Sequence, residues 1–370
     1  MKTYDPKTII LSGGGSGGPV TPLLAIAKEL AVDNFNLVFV GTKTGPEKSM
    51  VASFNLPGNK KLKFISLPAG KLRRYFSFHN FSDLLKILLA FILSFSLLRR
   101  ERPSLIISAG GFVSVPLVWA ARLKNIPIII HQQDVRPGLA NKLMAPAARL
   151  VTVTFEKSLR DYGSKAVWIG NPIATLENKA EAIKNIKEKY RLLDTKPLIL
   201  VTGGATGAAA LNDLIAGAKT EIIEFAQIIH ITGKGKLPLT PVNPNQVSDY
   251  QVFELLSPAD VFQLMAAADL VISRCGLATL TELCELAKSA ILIPIPKSQQ
   301  EDNAIIFKRL NAALVLSQTE LRAEDFVTEI KNILSNSELQ TKLSSNISKV
   351  MKRHASETMA ALIKEILAAN

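Results

Sequence analysis

Two cysteines, four histidines and two tryptophans in 370 residues leave few side chains for soft-metal, redox or disulfide chemistry. No C-x-x-C or H-x-x-x-H spacing joins Cys275, Cys284, His79, His131, His230 and His354, which argues against a structural zinc and a disulfide framework. No D-x-D occurs, so nothing suggests a metal ion bridging a nucleotide diphosphate, and no bound cofactor is expected. No apolar run reaches the ~20 residues that a spanning helix needs. The opening MKTYDPKT runs straight into a strand-like segment without the h-region of a signal peptide. Sparse cysteine suits a reducing compartment, and together these absences point to the cytoplasm.

With 48% hydrophobic and 20% charged residues, the chain can bury large cores, and its length suits two domains. The net charge of +13 is unevenly placed: residues 61–102 hold nine Lys/Arg against Asp83 and Glu101. Within them residues 84–98, LLKILLAFILSFSLL, are apolar on nearly every face and flanked by KLRRYF and RRER. A buried core helix is the plainer reading. The cations at both ends favour a helix lying on an anionic membrane surface. Arg73, Arg74, Arg99 and Arg100 would then meet headgroups, and Phe91 and Phe95, with Tyr75, Phe76 and Phe78, the apolar boundary. Such binding should weaken with salt. No nucleic-acid motif accompanies the charge, so no nucleic-acid partner is expected.

Short apolar runs alternate with helical periodicity in two series. The first contains KTIILS, NLVFVG, SLIISAG, PIIIHQ and LVTVTF; the second PLILVTGG, QIIHITGKG, YQVFELL, DLVISRCG and AILIPIP. Strand, glycine-rich turn and helix, repeated, predict an α/β protein with two doubly wound parallel sheets. The join falls near residues 170–185, and a helix over about 345–369 is long enough to return to the first domain. The predicted domains are 1–172 with about 350–370, and 173–349. Ligands of such sheets bind at the carboxyl ends of the strands, here where the two domains would face across a cleft.

Residues 11–22, LSGGGSGGPVTP, match both the dinucleotide fingerprint and the nucleophile-elbow pattern. A dinucleotide site needs an acidic residue at the tip of the second strand, and NLVFVGTKTG has none. A Walker loop needs Lys-Ser/Thr where Pro19-Val20 stand, and a hydrolase elbow comes later in its fold. The remaining reading is a loop bringing Gly14, Gly15, Ser16, Gly17 and Gly18 close to a phosphate, followed by a helix capped by Thr21 with Pro22 at its first position. A plain strand–helix turn is the structural alternative. Gly110, Gly111 and Ser114 repeat the device in SAGGFVSVP, and Gly204 lies in a third loop, VTGGATGAAALND. In SRCGLATLTELCELAKSAILIPIP, Thr279 and Glu282 form either a capping box or a site where amides meet a diphosphate and Glu282 accepts from a ribose. The polar loop KSQQEDNA adds Gln299 and Gln300, able to read sugar hydroxyls.

Taken in order, GGGSGGPVTPLLAIA, SAGGFVSVP, HQQDVRPGLANK, GNPI, VTGGATGAAALN, ITGKG, RCGLATLTE and QQEDNA resemble the MurG family of peptidoglycan synthesis along nearly the whole chain. The resemblance implies a GT-B fold and an inverting transfer of GlcNAc from UDP-GlcNAc to the MurNAc 4-hydroxyl of lipid I, an undecaprenyl-diphosphate acceptor, giving lipid II. It further implies a peripheral protein on the inner face of the plasma membrane. By match, Arg274, Gly276, Leu277, Ala278 and Thr279 would border the donor phosphates, Glu282 the ribose, Leu256 the uracil, and Gln299 and Gln300 the GlcNAc. Gly204 would belong to the same pocket, and the first two glycine loops would face the diphosphates. The chain departs from the family pattern at Pro19, Gln132, Ala174 and Ala205, where His, Glu, Arg and Ser are usual. An inverting transfer wants a general base. Asp134 is the first candidate and His131 the second, although Asp134 also suits a turn before Pro137. A related transferase with another donor or lipid acceptor, and a catalytically silent nucleotide-sugar-binding protein, are the alternatives.

Overall fold

The computed structural model describes residues 6–33, 35–70, 79–176, 178–204, 208–236 and 249–369 and divides into two compact units, Met1–Ala174 with Lys352–Asn370, and Thr175–Met351. In the first unit β1 (Thr8–Ser12) leads through α1 (Val20–Leu30) to β2 (Asn36–Thr42) and α2 (Pro46–Ser53). A short antiparallel hairpin, β3 (Asn55–Leu56) and β4 (Lys60–Lys61), precedes β5 (Lys63–Leu67) and the long α3 (His79–Glu101). The chain continues through β6 (Leu105–Ser108), α4 (Ser114–Leu123), β7 (Ile128–Gln132), α5 (Leu139–Met144), β8 (Leu150–Val153) and β9 (Ala166–Trp168). Seven strands pair in parallel in the order β5-β2-β1-β6-β7-β8-β9.

Continuous β-branched runs form these strands because both faces of the sheet are covered. Alternation within β1 sends Ile9 and Leu11 to one layer with Phe39, Ile107 and the α1 side chains Leu23 and Ile26. Ile10 goes to the other, with Val38, Ile106, Ile130 and the α4 residues Leu117 and Val118. The start of α1 differs from expectation. Thr21 does not cap it: Pro19 occupies the cap position at φ −64°, and the Gly17 carbonyl accepts from the Val20 and Thr21 amides. The proline ring already holds a helical φ and has no N–H to satisfy, so the helix begins earlier than a Thr cap would place it.

The second unit contains α6 (Lys179–Lys189), β10 (Leu198–Thr202), α7 (Ala209–Ile222), β11 (Gln227–Ile231), β12 (Tyr250–Phe253), α8 (Pro258–Ala267) and β13 (Leu270–Ser273). It ends with α9 (Leu277–Leu286), β14 (Ala290–Leu292), α10 (Gln299–Arg309), β15 (Leu314–Val315), α11 (Ala323–Ser335) and α12 (Ser337–Ile347). Its parallel order is β12-β11-β10-β13-β14-β15. In both sheets the chain starts centrally, winds to one edge and returns to build the other. The reversal opens a crevice beyond the carboxyl ends of β1 and β6 in one unit and of β10 and β13 in the other.

The stretch 345–369 is not one helix. A break follows α12, His354 turns left-handed at φ +57°, and α13 (Ala355–Ala368) begins there. This last helix packs on α1 with Met359, Ile363 and Leu367 in the first core. Gly170 lets the chain pass: at φ +86°, a Cβ there would lie 1.9 Å from the Lys352 carbonyl oxygen. The Ser356 hydroxyl donates to the Ile173 carbonyl (2.8 Å), and Lys364 pairs with Asp33 at 2.6 Å.

Candidate active site

At the first crevice the loops after β1 and β6 touch. A Cβ on Gly111 (φ +93°) would lie 2.6 Å from the Gly14 carbonyl oxygen, so only glycine permits the contact. The backbone N–H groups of Gly14, Ser16, Gly17 and Gly18 find no acceptor among the described residues. Orphan amides on a short glycine loop ahead of a helix are suited to an anion. Two expected participants turn inward instead. Gly15, at φ +85°, donates its N–H to Glu47 (3.3 Å). Ser114 is buried, its hydroxyl 2.9 Å from that of Ser12 and donating to the Gly110 carbonyl at 3.1 Å. Ser114 therefore ties the two loops together from below.

Glu47 was not identified from the sequence. It is fully buried at the start of α2, accepts from the Thr42 N–H (2.7 Å) and hydroxyl, and occupies the space a Cβ on Gly14 would need. The only signal is Gly45-Pro46-Glu47, which by itself reads as an ordinary helix start.

At the end of β7, His131 is a strut. It is wholly buried, with Nδ1 3.0 Å from the Thr152 hydroxyl and Nε2 3.0 Å from Asn171 Oδ1. Burial lowers its pKa to about 4, so it stays neutral and occupied, which removes it from proton transfer to a ligand. Gln132 is also buried and fully hydrogen-bonded, and Gln133 donates to the Gly18 carbonyl (3.0 Å). Asp134 is different. The residue is solvent-exposed and its carboxylate accepts no hydrogen bond among the described residues, yet nearby protein crowds it enough to raise its pKa.

In the second unit β13 delivers the chain to α9. Gly276 takes the cap position and no side chain caps the helix, so the capping box Thr279-x-x-Glu282 does not form. The first-turn amides of Leu277, Ala278 and Thr279 are left for a ligand or water. Glu282, one turn beyond Thr279 on the same side, is half-buried without a hydrogen-bond partner among the described residues, and burial raises its pKa to about 7. Leu256, between β12 and α8, has both backbone groups unbonded among the described residues. Arg274 does not point outward. Its guanidinium donates to the Ile293 carbonyl (2.9 Å) and Gln318 Oε1 (2.6 Å), while its buried Nε has no partner among the described residues. It braces the β13–α9 turn as a buried cation with no carboxylate bound to it among the described residues.

Gln300 is half committed, its Oε1 accepting from the Ile295 N–H (3.2 Å), whereas the Gln299 side chain is exposed and makes no hydrogen bond among the described residues. Asn303, which sequence reasoning did not single out, donates to the Cys275 carbonyl at 3.2 Å and fastens α10 to the β13–α9 turn. Gly204 (φ +78°) donates to the Thr202 hydroxyl; Ala205 lies outside the described residues.

The apolar segment forms α3, and its faces are sharply divided. Leu84, Leu85, Leu88, Leu89, Ile92 and Leu93 are 40–58% exposed. Their spacing traces one stripe down the helix. Phe91 and Phe95 do not join it: they pack edge-to-face at 5.1 Å against the core, because they lie on the side facing β-sheet and α4. Arg99 is exposed, while Arg100 pairs with Glu101 at 2.8 Å. Arg73, Arg74, Tyr75, Phe76 and Phe78 lie outside the described residues. Among the described residues no helix is long and apolar enough to cross a membrane.

The glycosyltransferase family 28 N-terminal domain matches residues 9–153, and the corresponding C-terminal domain residues 198–359. A Clostridium perfringens UDP-N-acetylglucosamine–N-acetylmuramyl-(pentapeptide) pyrophosphoryl-undecaprenol N-acetylglucosamine transferase is 36% identical over 347 residues, covering 91% of this chain and 92% of that protein. The Clostridium botulinum enzyme of the same name is 35% identical and covers 97% and 99%. Among solved structures, Acinetobacter baumannii MurG superposes with a TM-score of 0.73 at 24% identity, covering 97% of this chain and all of that one. A Neisseria meningitidis UDP-GlcNAc 2-epimerase bound to UDP-GlcNAc has the same fold at TM-score 0.68 and 12% identity, covering 98% and 100%. An epimerase and a transferase on one fold show that the architecture alone does not name the reaction. Two parallel-sheet units of GT-B type and close relatives matched along almost their whole length place this chain in glycosyltransferase family 28, among the MurG transferases.

Proposed function

We propose that this chain transfers GlcNAc from UDP-GlcNAc to the MurNAc 4-hydroxyl of lipid I, with inversion at the anomeric carbon, giving lipid II. The observation that carries the donor half is the uncapped start of α9 followed one turn later by the unpartnered Glu282. A diphosphate at those amides and a ribose diol at that carboxylate satisfy both. Leu256, whose backbone groups are unbonded among the described residues, would face the uracil, and Gln299 and the Gln300 amide nitrogen would supply donors to the sugar. As the glycosidic bond breaks, charge gathers on the departing phosphate, where amides fixed in advance stabilise it without reorganising.

The acceptor half rests on the first unit's open amides, which suit the lipid diphosphate, and on Asp134. Its raised pKa makes it a stronger base than an ordinary carboxylate, able to take the proton of the attacking hydroxyl. The α3 stripe supports a peripheral position on the cytoplasmic membrane face, where the lipid acceptor resides. The test is UDP release with a lipid I analogue and a panel of sugar nucleotides. Release that needs both UDP-GlcNAc and the analogue supports the reading; preference for another donor favours a different transferase of this fold. No release with any donor leaves a nucleotide-sugar-binding protein.

A further inference from the structure

Gln132 ends β7 and is 2% exposed. Its amide nitrogen donates to the carbonyls of Asp134 (2.7 Å) and Arg136 (3.3 Å). Its oxygen accepts from Asn141 Nδ2 (2.7 Å) and from the Tyr162 hydroxyl (2.9 Å). The partners settle which end is which. Two carbonyls face the nitrogen, and two donors face the oxygen. Asn141 is oriented by the same logic, since its Nδ2 also donates to the His131 carbonyl at 3.2 Å. All four hydrogen-bonding positions of the Gln132 carboxamide are thus in use, which a buried amide requires and seldom achieves by accident.

The turn these bonds span, residues 134–138, carries the one exposed carboxylate at the end of β7. It holds Pro137 and Gly138 and is also tied by the Ser158 hydroxyl donating to the Val135 carbonyl (3.2 Å) and the Lys142 N–H donating to the Gly138 carbonyl (3.0 Å). We propose that Gln132 is a positioning residue for the transfer: by donating to the carbonyls of Asp134 and Arg136 it sets where the Asp134 carboxylate stands. The inference rests on the reading of Asp134 as the base. It also assigns the position a donor's task. A glutamate there would keep the acceptor bonds to Asn141 and Tyr162 but, once ionised, present a carboxylate to two carbonyl oxygens.

Steady-state UDP release with UDP-GlcNAc and a lipid I analogue tests this on the full chain, using Gln132→Glu, Gln132→Met, Asp134→Asn and the two double variants. Thermal unfolding is followed alongside. Displacing a catalytic group by about 1 Å costs on the order of 100-fold. Both Gln132 variants should therefore lose about 10- to 100-fold in kcat, with the KM for UDP-GlcNAc unchanged. In the Asp134→Asn background either change should cost little more, because coupled residues are not additive. A Gln132→Glu variant with wild-type kcat, or losses that multiply in the double variants, overturns the proposal. Should both Gln132 variants melt below the assay temperature, Tyr162→Phe removes one donor to the same amide and should show a smaller loss of the same kind; no loss counts against the proposal. A wild-type chain that releases no UDP overturns the transferase reading, and the positioning role with it. An active wild type with unaffected variants overturns the positioning role alone.

Discussion

Glu282 and Asp134 carry opposite duties for carboxylates that share one perturbation, partial desolvation. For Glu282 the stability consequence can be signed. Its pKa rises from 4.5 to about 7 on folding, so the folded chain binds more protons than the unfolded one between those values. Stability from this group is therefore full below about pH 4.5 and is lost as pH rises toward 7. Glu282→Gln should remove that loss, and urea midpoints at pH 5 and pH 8 measure it. UDP-GlcNAc affinity should move the other way in the wild type, rising from pH 6 to pH 8 as the carboxylate ionises and accepts from the ribose, and should be flat in the variant. Asp134→Asn should lower turnover by about 10²- to 10⁴-fold, the range of general-base catalysis, while UDP affinity holds. The wild-type rate should fall in acid from a pH above the usual carboxylate value. Most residues of these candidate sites stand out in the sequence because glycine loops and a Thr-x-x-Glu helix start have a chemical reason to exist. Glu47 and Asn303 were not, since their work is to fill space and hold backbone, and that depends on neighbours distant in sequence.

On the element scale, the membrane contact proposed above would be made through α3. Burying a Leu or Ile side chain fully is worth about 1.5–3 kcal/mol, against about 1 kcal/mol for each basic residue near an anionic surface. Six exposed aliphatic side chains thus outweigh the cations described on this helix, one of which is already paired with Glu101. Leu88→Glu with Ile92→Glu should abolish flotation with anionic vesicles, whereas Arg99→Glu should only weaken it and make it more salt-sensitive. Equal loss in both would assign the contact to charge. Composition announced this helix but hid its face: where nearly every position is apolar, periodicity has nothing to contrast, and the aromatic residues drew attention away from the leucines. Central strands were plain for the converse reason, being unbroken β-branched runs buried on both sides. β5, β9 and β15 were not recognised. They are edge strands with one neighbour each, and KFISL and AVW are partly exposed and too short or mixed to stand out.

For the whole molecule, the two strand series followed from the alternation of strand, turn and helix, whereas the order of strands in each sheet and the close passage that returns the last helix depend on contacts distant in sequence. Gly170 and Lys352 meet backbone to backbone, so the chain leaves the first unit and re-enters it at one point. The second unit is therefore an insertion, continuous in itself, inside a host that is not. That sets an order of events during synthesis. While the ribosome has yet to release α13, the first unit lacks Met359, Ile363 and Leu367 from its core, and α1 has an uncovered face. The inserted unit has all its strands and can mature first. Released chains truncated after residue 351 should accordingly show a protease-resistant second unit and a sensitive first one, with resistance of both appearing only in the full-length chain. A stop codon a few residues early would then strike the amino-terminal half of the protein hardest, although the damage lies far from it in the gene.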